Sequence, residues 1–451
     1  MIKFERTVEE LYRDDPERAD AIAFGRRNGV SRRAFLGGSG MAAMSAAVGG
    51  PIVFAASMPG GLLPAALAQG AKTDAPVAAP SSNGPQRLQF PGKDGKLVLL
   101  GDKPLVAETP EQLLDDDTTP TSKFFIRNNG GTPEATKEPD AWKLAIDGEV
   151  NRPLELTLGE LKAKFRPVTR RMVLECGGNG RSFFIPQARG NQWTNGGVGC
   201  AEWTGARLAD VIRAAGPKAS AVFSGHYGAD PHLSGDASKN ALSRGVPIRK
   251  LMDENNLIVW EMNGKPLEPI HGFPVRLIIP GWPGSLSAKW LTRIWLRDKV
   301  HDGQGMGGTS YRVAVKPMLP GSTANEANFK DMESMPVRSI VTRPANGTRL
   351  GASVRELSLR GAAWAGDHAV RSVDVSMDFG ASWQRAYLNP PKNRYDWQRW
   401  TATLRLPSEG YYEVWSRATD ARGIMQPHVA GNWNPQGYGA NPMHRIAILV
   451  G

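Results

Sequence analysis

The stretch Val173-Leu174-Glu175-Cys176-Gly177-Gly178-Asn179-Gly180-Arg181 constrains this chain more than any other. A strand-like apolar run delivers one cysteine to a loop that holds three glycines and ends on an arginine. Glycines let the backbone approach a bulky ligand and present free N–H groups. A thiolate in such a loop serves as a nucleophile or as a metal ligand. The sequence holds one other cysteine, Cys200. Two thiols exclude a disulfide scaffold, an all-thiolate zinc site and an iron–sulfur cluster. They leave a Cys176–Cys200 disulfide open, although a structural disulfide needs no glycine loop. There is no Cys-x-x-Cys pair and no His-Glu-x-x-His, so the protein alone cannot complete a zinc site around Cys176. Cys200 is expected to be a buried, inert thiol.

The 451 residues amount to about three domains' worth of chain. With 41% hydrophobic and 22% charged residues, a sizeable core is expected and disorder is excluded. The first 68 residues read as an address label. Ser31-Arg32-Arg33-Ala34-Phe35-Leu36 is a twin-arginine pattern, with Gly37 where a lysine often stands. A weakly apolar stretch rich in Gly and Ala follows, then the A-x-A site Ala66-Leu67-Ala68. Gly and Pro interrupt that stretch too often for a stable span, so no membrane span is expected after signal removal. Twin-arginine export carries folded proteins to the periplasm, usually because a cofactor was inserted first. The formal charge is +11; residues 1–68 hold eight Lys/Arg and seven Asp/Glu, which leaves +10 for the mature chain. No basic run is interleaved with aromatics, so nucleic acid is not an expected partner. The basic surface is either merely solvated or steers an anionic substrate or acidic partner.

Residues 69–115, rich in Pro, Gly and Asp, read as an extended arm. From 116 to 320 short strand-like and helix-like runs alternate with Gly-rich loops. Phe124-Phe125-Ile126, Arg171–Leu174 and Val275–Pro280 read as strands, and Leu208–Arg213 as a short helix. From 330 to 451 the segments Val337–Thr342, Val354–Leu359, Val370–Met377, Trp400–Leu406, Tyr412–Ala418 and His444–Val450 read as strands separated by turns. That pattern predicts a β-sandwich. The fold class expected for the whole is α+β.

The cysteine loop resembles that of the sulfite oxidase family of molybdenum enzymes. Three further segments resemble the same family in order. They are Phe124-Phe125-Ile126-Arg127-Asn128, then Asn263–Leu267 with His271-Gly272-Phe273-Pro274-Val275-Arg276 and Lys289-Trp290-Leu291. The last runs through the C-terminal part, with Val375–Trp383, Arg417–Asp420 and Trp433-Asn434. The resemblance implies a molybdopterin-binding domain followed by an immunoglobulin-like dimerisation domain. It implies molybdenum held by the two dithiolene sulfurs of one molybdopterin, two oxo groups and the Cys176 thiolate. His271, Arg276 and Lys289 fall where the family holds the pterin and its phosphate, with Asn128 and Asn129 also on the cofactor side. Arg127 and Arg181 match two arginines of an anion-binding substrate pocket. Tyr311 falls near its tyrosine, and Trp193 near its tryptophan if a gap is assumed. His301 and Asp302, just upstream of Tyr311, are expected to be solvated loop residues.

Two departures stand out. Asn129 replaces a histidine common in sulfite oxidases, and Gln436 stands where a third arginine often lies. A pocket with one fewer fixed cation should suit a longer or less charged sulfur substrate. With the export signal, this pattern resembles the molybdenum subunit of periplasmic sulfane dehydrogenases, which oxidise sulfur carried on a partner's cysteine. A free-standing sulfite dehydrogenase is the alternative, and a non-catalytic periplasmic assembly module a remote one. The sequence has no Cys-x-x-Cys-His site and no haem is expected in this chain. Electrons are therefore expected to pass to a c-type cytochrome subunit or a soluble cytochrome c. The expected assembly is a homodimer, or a heterotetramer with the cytochrome.

Overall fold

The strand Pro167–Glu175, open at its start and buried on both faces from Met172 onward, organises the molecule around the cysteine. This strand pairs antiparallel with Val198–Arg207 over nine residue pairs, from Pro167↔Ala206 to Glu175↔Val198. Successive side chains point to opposite faces. Met172, Leu174 and Cys176 join a core with Phe124, Phe125, Trp193 and Trp203. Val173 on the other face joins Cys200, Ile340, Trp364 and Trp397. Both faces of the strand are therefore buried, one inside the N-terminal region and one against the C-terminal region.

A computed structural model describes residues 85–451; the export signal read at 1–68 and the arm up to residue 84 lie outside the described residues. The rest of the arm is folded. Val98–Asp102 and Leu105–Glu108 form a hairpin that adds Ile126–Arg127 as a third strand. Beside it lie two five-stranded sheets. One runs Lys265–Pro266, Leu257–Met262, Val198–Arg207, Pro167–Glu175, with Arg276–Ile278 also on Leu257–Met262. The other runs Leu154–Thr157, Lys143–Gly148, Leu291–Arg297, Phe223–Gly228, Ser243–Arg244. The α-helices Leu158–Lys164, Leu208–Ala215 and Ile248–Leu251 are all short. Thr157 and Glu160 form a reciprocal cap at the start of the first. The second buries Leu208, Val211, Ile212 and Ala215 on one face and stops at Gly216, φ 65°.

The α+β expectation is corrected in this respect: the described chain is mostly sheet. Helical periodicity persists only over windows as short as 208–215, and β-type runs take the rest of the core. The C-terminal region has two sheets. One is Arg338–Arg343, Glu356–Trp364, Gln398–Arg405, Tyr387–Leu388; the other is Thr348–Leu350, His444–Val450, Gly410–Asp420, Val370–Ser376, Gln384–Arg385. Leu359 and Trp400 from the first meet Val373, Val414 and Ile448 from the second in one core.

Candidate active site

The cysteine loop is locked by its own backbone and by the C-terminal region. The Cys176 N–H donates to Gly197 O (2.8 Å) and its carbonyl accepts from Asn179 N–H (2.9 Å). The preceding Glu175 carboxylate is buried. It accepts from Arg338 Nε (3.0 Å), Asn179 Nδ2 (2.9 Å) and Trp364 Nε1 (2.7 Å). Arg338 also donates to Asn179 O and Ala440 O. Both acceptors of Glu175 are thus occupied, and the loop has one position. The glycines serve packing more than ligand approach. A Cβ on Gly178 would lie 2.6 Å from the Arg181 guanidinium, and one on Gly180 (φ 85°) would lie 2.6 Å from Ala440 O.

Cys176 lines a partly open cavity. Arg127, Asn128, Asn129, His271, Arg276, Lys289 and Tyr311 all line it, so eight of the ten sequence-predicted site residues come together. Cys176 and Cys200 are both free thiols on opposite faces of their sheet, so no disulfide joins them. Burial raises the Cys200 thiol well above its usual range, and its Sγ–H donates to Asp396 Oδ1 (3.4 Å).

The remaining two do not line the cavity. Arg181 lies beneath the loop. Its Nε donates to Gln436 O (2.9 Å) and its Nη1 to Asn191 O (2.9 Å), with Tyr438 against its guanidinium. Trp193 is fully buried, its ring edge on Phe125, and its indole N–H has no partner. The Gln436 side chain bonds Thr309 Oγ1 (3.2 Å), and Gln436 is not among the lining residues, whereas Asn129 is. His301 corrects the solvated-loop expectation. It is buried between Ser243 Oγ (2.8 Å) and Arg297 Nη1 (3.0 Å).

One end of the cavity is strongly cationic. Arg276 Nη1 and Nη2 donate to the neutral carbonyls of His271 and Ser287, and its Nε has no partner. Burial pushes its pKa down to about 9. Lys289 donates to Asn128 Oδ1 and Ile270 O, and burial holds it well below the usual lysine range. Neither cation forms an ion pair among the described residues. Lys93, which the sequence reading missed, reaches in from the N-terminal hairpin segment. Its side chain is fully buried against His271 Nε2, with Glu268 at 3.5 Å, and burial pulls its pKa down to about 8. Burying cations without acids is costly unless an anion joins them. Asp230 is the only carboxylate among the lining residues, and burial pushes its pKa up.

The other end is aromatic. Tyr311, at φ 52°, stacks on Tyr438 (centroids 4.9 Å apart) and donates its OH to Asn129 Oδ1 (3.2 Å). Arg244, also missed, lies over the Tyr311 ring at 4.4 Å and lines the cavity. No local pattern marks Arg244 or Lys93; only tertiary placement shows them buried.

Comparison with known proteins agrees with this geometry. Residues 129–304 match the oxidoreductase molybdopterin binding domain, and residues 330–451 the Mo-co oxidoreductase dimerisation domain. The chain is 31% identical to the mitochondrial sulfite oxidase of Rattus norvegicus, over 82% of this chain and 68% of that one. It is 31% identical to the sulfite oxidase of Gallus gallus over 82% of each. It spans about two thirds of the length of the mitochondrial relatives. The sulfane dehydrogenase SoxCD of Paracoccus pantotrophus has the same fold, with TM-score 0.64 and 26% identity over 83% of this chain and 92% of that one. The cavity fits the cofactor of this family. The unpaired Arg276 and Lys289, with Lys93 behind His271, suit an anionic pterin phosphate, and the free Cys176 thiol suits a metal. Among the described residues no cluster of three His, Cys, Asp or Glu could hold a metal ion. The two domain matches and the identity to sulfite oxidases, with the free Cys176 thiol on the cavity, show that the chain belongs to the sulfite oxidase family of molybdopterin-dependent oxidoreductases.

Proposed function

We propose that this chain oxidises a reduced sulfur substrate in the periplasm and passes the electrons to a c-type cytochrome. The observation that carries the reading is the free thiol of Cys176 on a cavity whose lining cations Arg276 and Lys289 form no ion pair among the described residues. When bound, the molybdenum cofactor supplies oxygen-atom transfer and two-electron redox chemistry. The chain's own residues do the rest. Cys176 offers its thiolate to the metal from a loop fixed by Glu175 and Asn179. Arg276, Lys289 and His271 hold the anionic part of the cofactor, with Asn128 orienting the Lys289 ammonium. Arg127, half-buried and without an ion pair among the described residues, presents its guanidinium to a substrate oxyanion. The Tyr311 hydroxyl, oriented by Asn129, can hold or pass a proton near the reacting sulfur. Arg181 and Trp193 act from behind the loop, as supports of its shape.

The fold shared with SoxCD supports the sulfane-dehydrogenase reading, in which the sulfur arrives on a carrier protein. The identity to sulfite oxidases supports free-standing sulfite dehydrogenation as the second reading. The periplasmic address rests on the twin-arginine pattern and the A-x-A site. The C-terminal pair of sheets is taken as an immunoglobulin-type unit that pairs two copies of the chain, in line with the dimerisation-domain match. The test is steady-state reduction of cytochrome c by the molybdenum-loaded protein, with sulfite and with a sulfane-loaded carrier protein. Turnover with the carrier alone favours the first reading, and turnover with sulfite alone the second. No reduction with either rejects the function.

A further inference from the structure

We infer that Arg244 is an anchor for the substrate's anion on the cavity wall. The identity of the anion rests on the sulfur-oxidising function proposed above. The edge strand Ser243–Arg244, in register with His226↔Arg244, carries the side chain to the cavity wall. Arg244 is 3% exposed. Its guanidinium has five N–H donors and uses one acceptor, Ser285 Oγ at 2.8 Å. Its Nε is buried without a partner, and no carboxylate forms an ion pair with it among the described residues.

The other buried arginines are better served. Arg338 pairs with Glu175, Arg297 with Asp302, and Arg181 and Arg276 each donate to two carbonyls. Stacking on Tyr311 holds the Arg244 plane in place. Tyr311 in turn lies against the residue after the cysteine, since a Cβ on Gly177 would be 3.6 Å from Tyr311 Cδ1. Arg244 therefore belongs to the Tyr311 end of the cavity, apart from the Arg276, Lys289 and His271 group. A planar fork with free donors at that end fits a sulfur oxyanion: sulfite itself, or the sulfonate end of a longer sulfur chain such as thiosulfate.

The test compares wild type, Arg244→Met and Arg244→Lys as full-length, molybdenum-loaded proteins. Sulfite and thiosulfate serve as donors, and unreactive sulfate as inhibitor at constant ionic strength. For Arg244→Met the expected result is a KM raised roughly tenfold to a hundredfold for the anionic donor and the same loss of sulfate inhibition. The kcat should change by less than about threefold, as uniform binding is lost. Arg244→Lys should fall between, since it keeps the charge and loses the fork. Molybdenum and pterin content should match wild type, and the melting temperature should not fall, because an unpaired buried cation is removed. Which donor shows the KM effect tells sulfite from a sulfonate-ended chain.

Unchanged KM and unchanged sulfate inhibition would overturn the assignment while leaving the sulfur-oxidising function intact. Lower pterin content with unchanged KM would place Arg244 on the cofactor and overturn it too. A lower melting temperature with no change in sulfate inhibition would make it a structural residue. If wild type oxidises no sulfur donor, the function fails. Sulfate binding by calorimetry, weakened in Arg244→Met, would still support the anchor.

Discussion

At the scale of single residues, the cationic end of the cavity makes a pH prediction. Lys93 Nζ meets His271 Nε2, and burial, with the neighbouring Lys93, Lys289 and Arg276 charges, holds the His271 pKa well below its usual range. The pKa values of Lys93 (about 8), Arg276 (about 9) and Lys289 (well below normal) are all lowered, with burial the first cause. An anion bound among these groups favours their charged forms, so its binding takes up protons. Anion affinity should be highest below pH 8 and fall as pH rises through 8 to 9. Cofactor release at pH 7 and pH 9.5 checks this, and Lys93→Met should release cofactor faster at pH 7 and show a shallower pH dependence. In the cofactor-free protein the linkage has the opposite sense. The folded Lys93 pKa lies below its unfolded value, so between pH 8 and 10.5 the unfolded chain holds more protons and stability rises with pH. Melting curves across that window should show the rise in wild type and less of it in Lys93→Met. Much of this site was legible in the sequence, because Cys176, His271, Arg276 and Lys289 sit in motifs with fixed spacing. Lys93 and Arg244 were not. Each is an ordinary basic residue locally, and only its burial in the folded chain distinguishes it.

At the scale of elements, the cysteine strand and the C-terminal region are joined through charge. Glu175, Arg338, Trp364 and Asn179 form a closed buried network. Removing one partner of a buried ion pair costs about 3–5 kcal/mol. Arg338→Met should therefore lower unfolding stability by about that amount in denaturant melts. Adding Glu175→Gln should recover part of the loss, since the stranded charge is gone. A purely additive double mutant would deny the coupling. The strands His444–Val450 and Val370–Ser376 were read within a residue of their bounds, because turns flank them and β-branched residues alternate along them. Lys143–Gly148 and Leu291–Arg297 were missed. They pair parallel with each other across a long separation, so neither announces the other, although Lys143–Gly148 also forms a local hairpin with Leu154–Thr157. The arm's Val98–Asp102/Leu105–Glu108 hairpin is local and was missed, while sequence distance hid only its pairing with Ile126–Arg127.

At the scale of the whole molecule, the two regions share a core. Val173, Val198 and Cys200 pack with Ile340, Trp364 and Trp397. The described chain should therefore unfold in a single calorimetric transition, and a fragment of residues 330–451 alone should be unstable or aggregate. Two separate transitions would contradict the shared core. The region boundary near 330 was legible from the change in strand pattern. The shared core was not, because it is built by opposite faces of one strand. The central claim is that Cys176 places the metal in this cavity. X-ray absorption at the molybdenum edge tests it most directly, on wild type and Cys176→Ser. The account predicts one fewer sulfur neighbour in the variant, with pterin still bound by the cationic end and turnover reduced by roughly a hundredfold or more. An unchanged sulfur count in Cys176→Ser would contradict it.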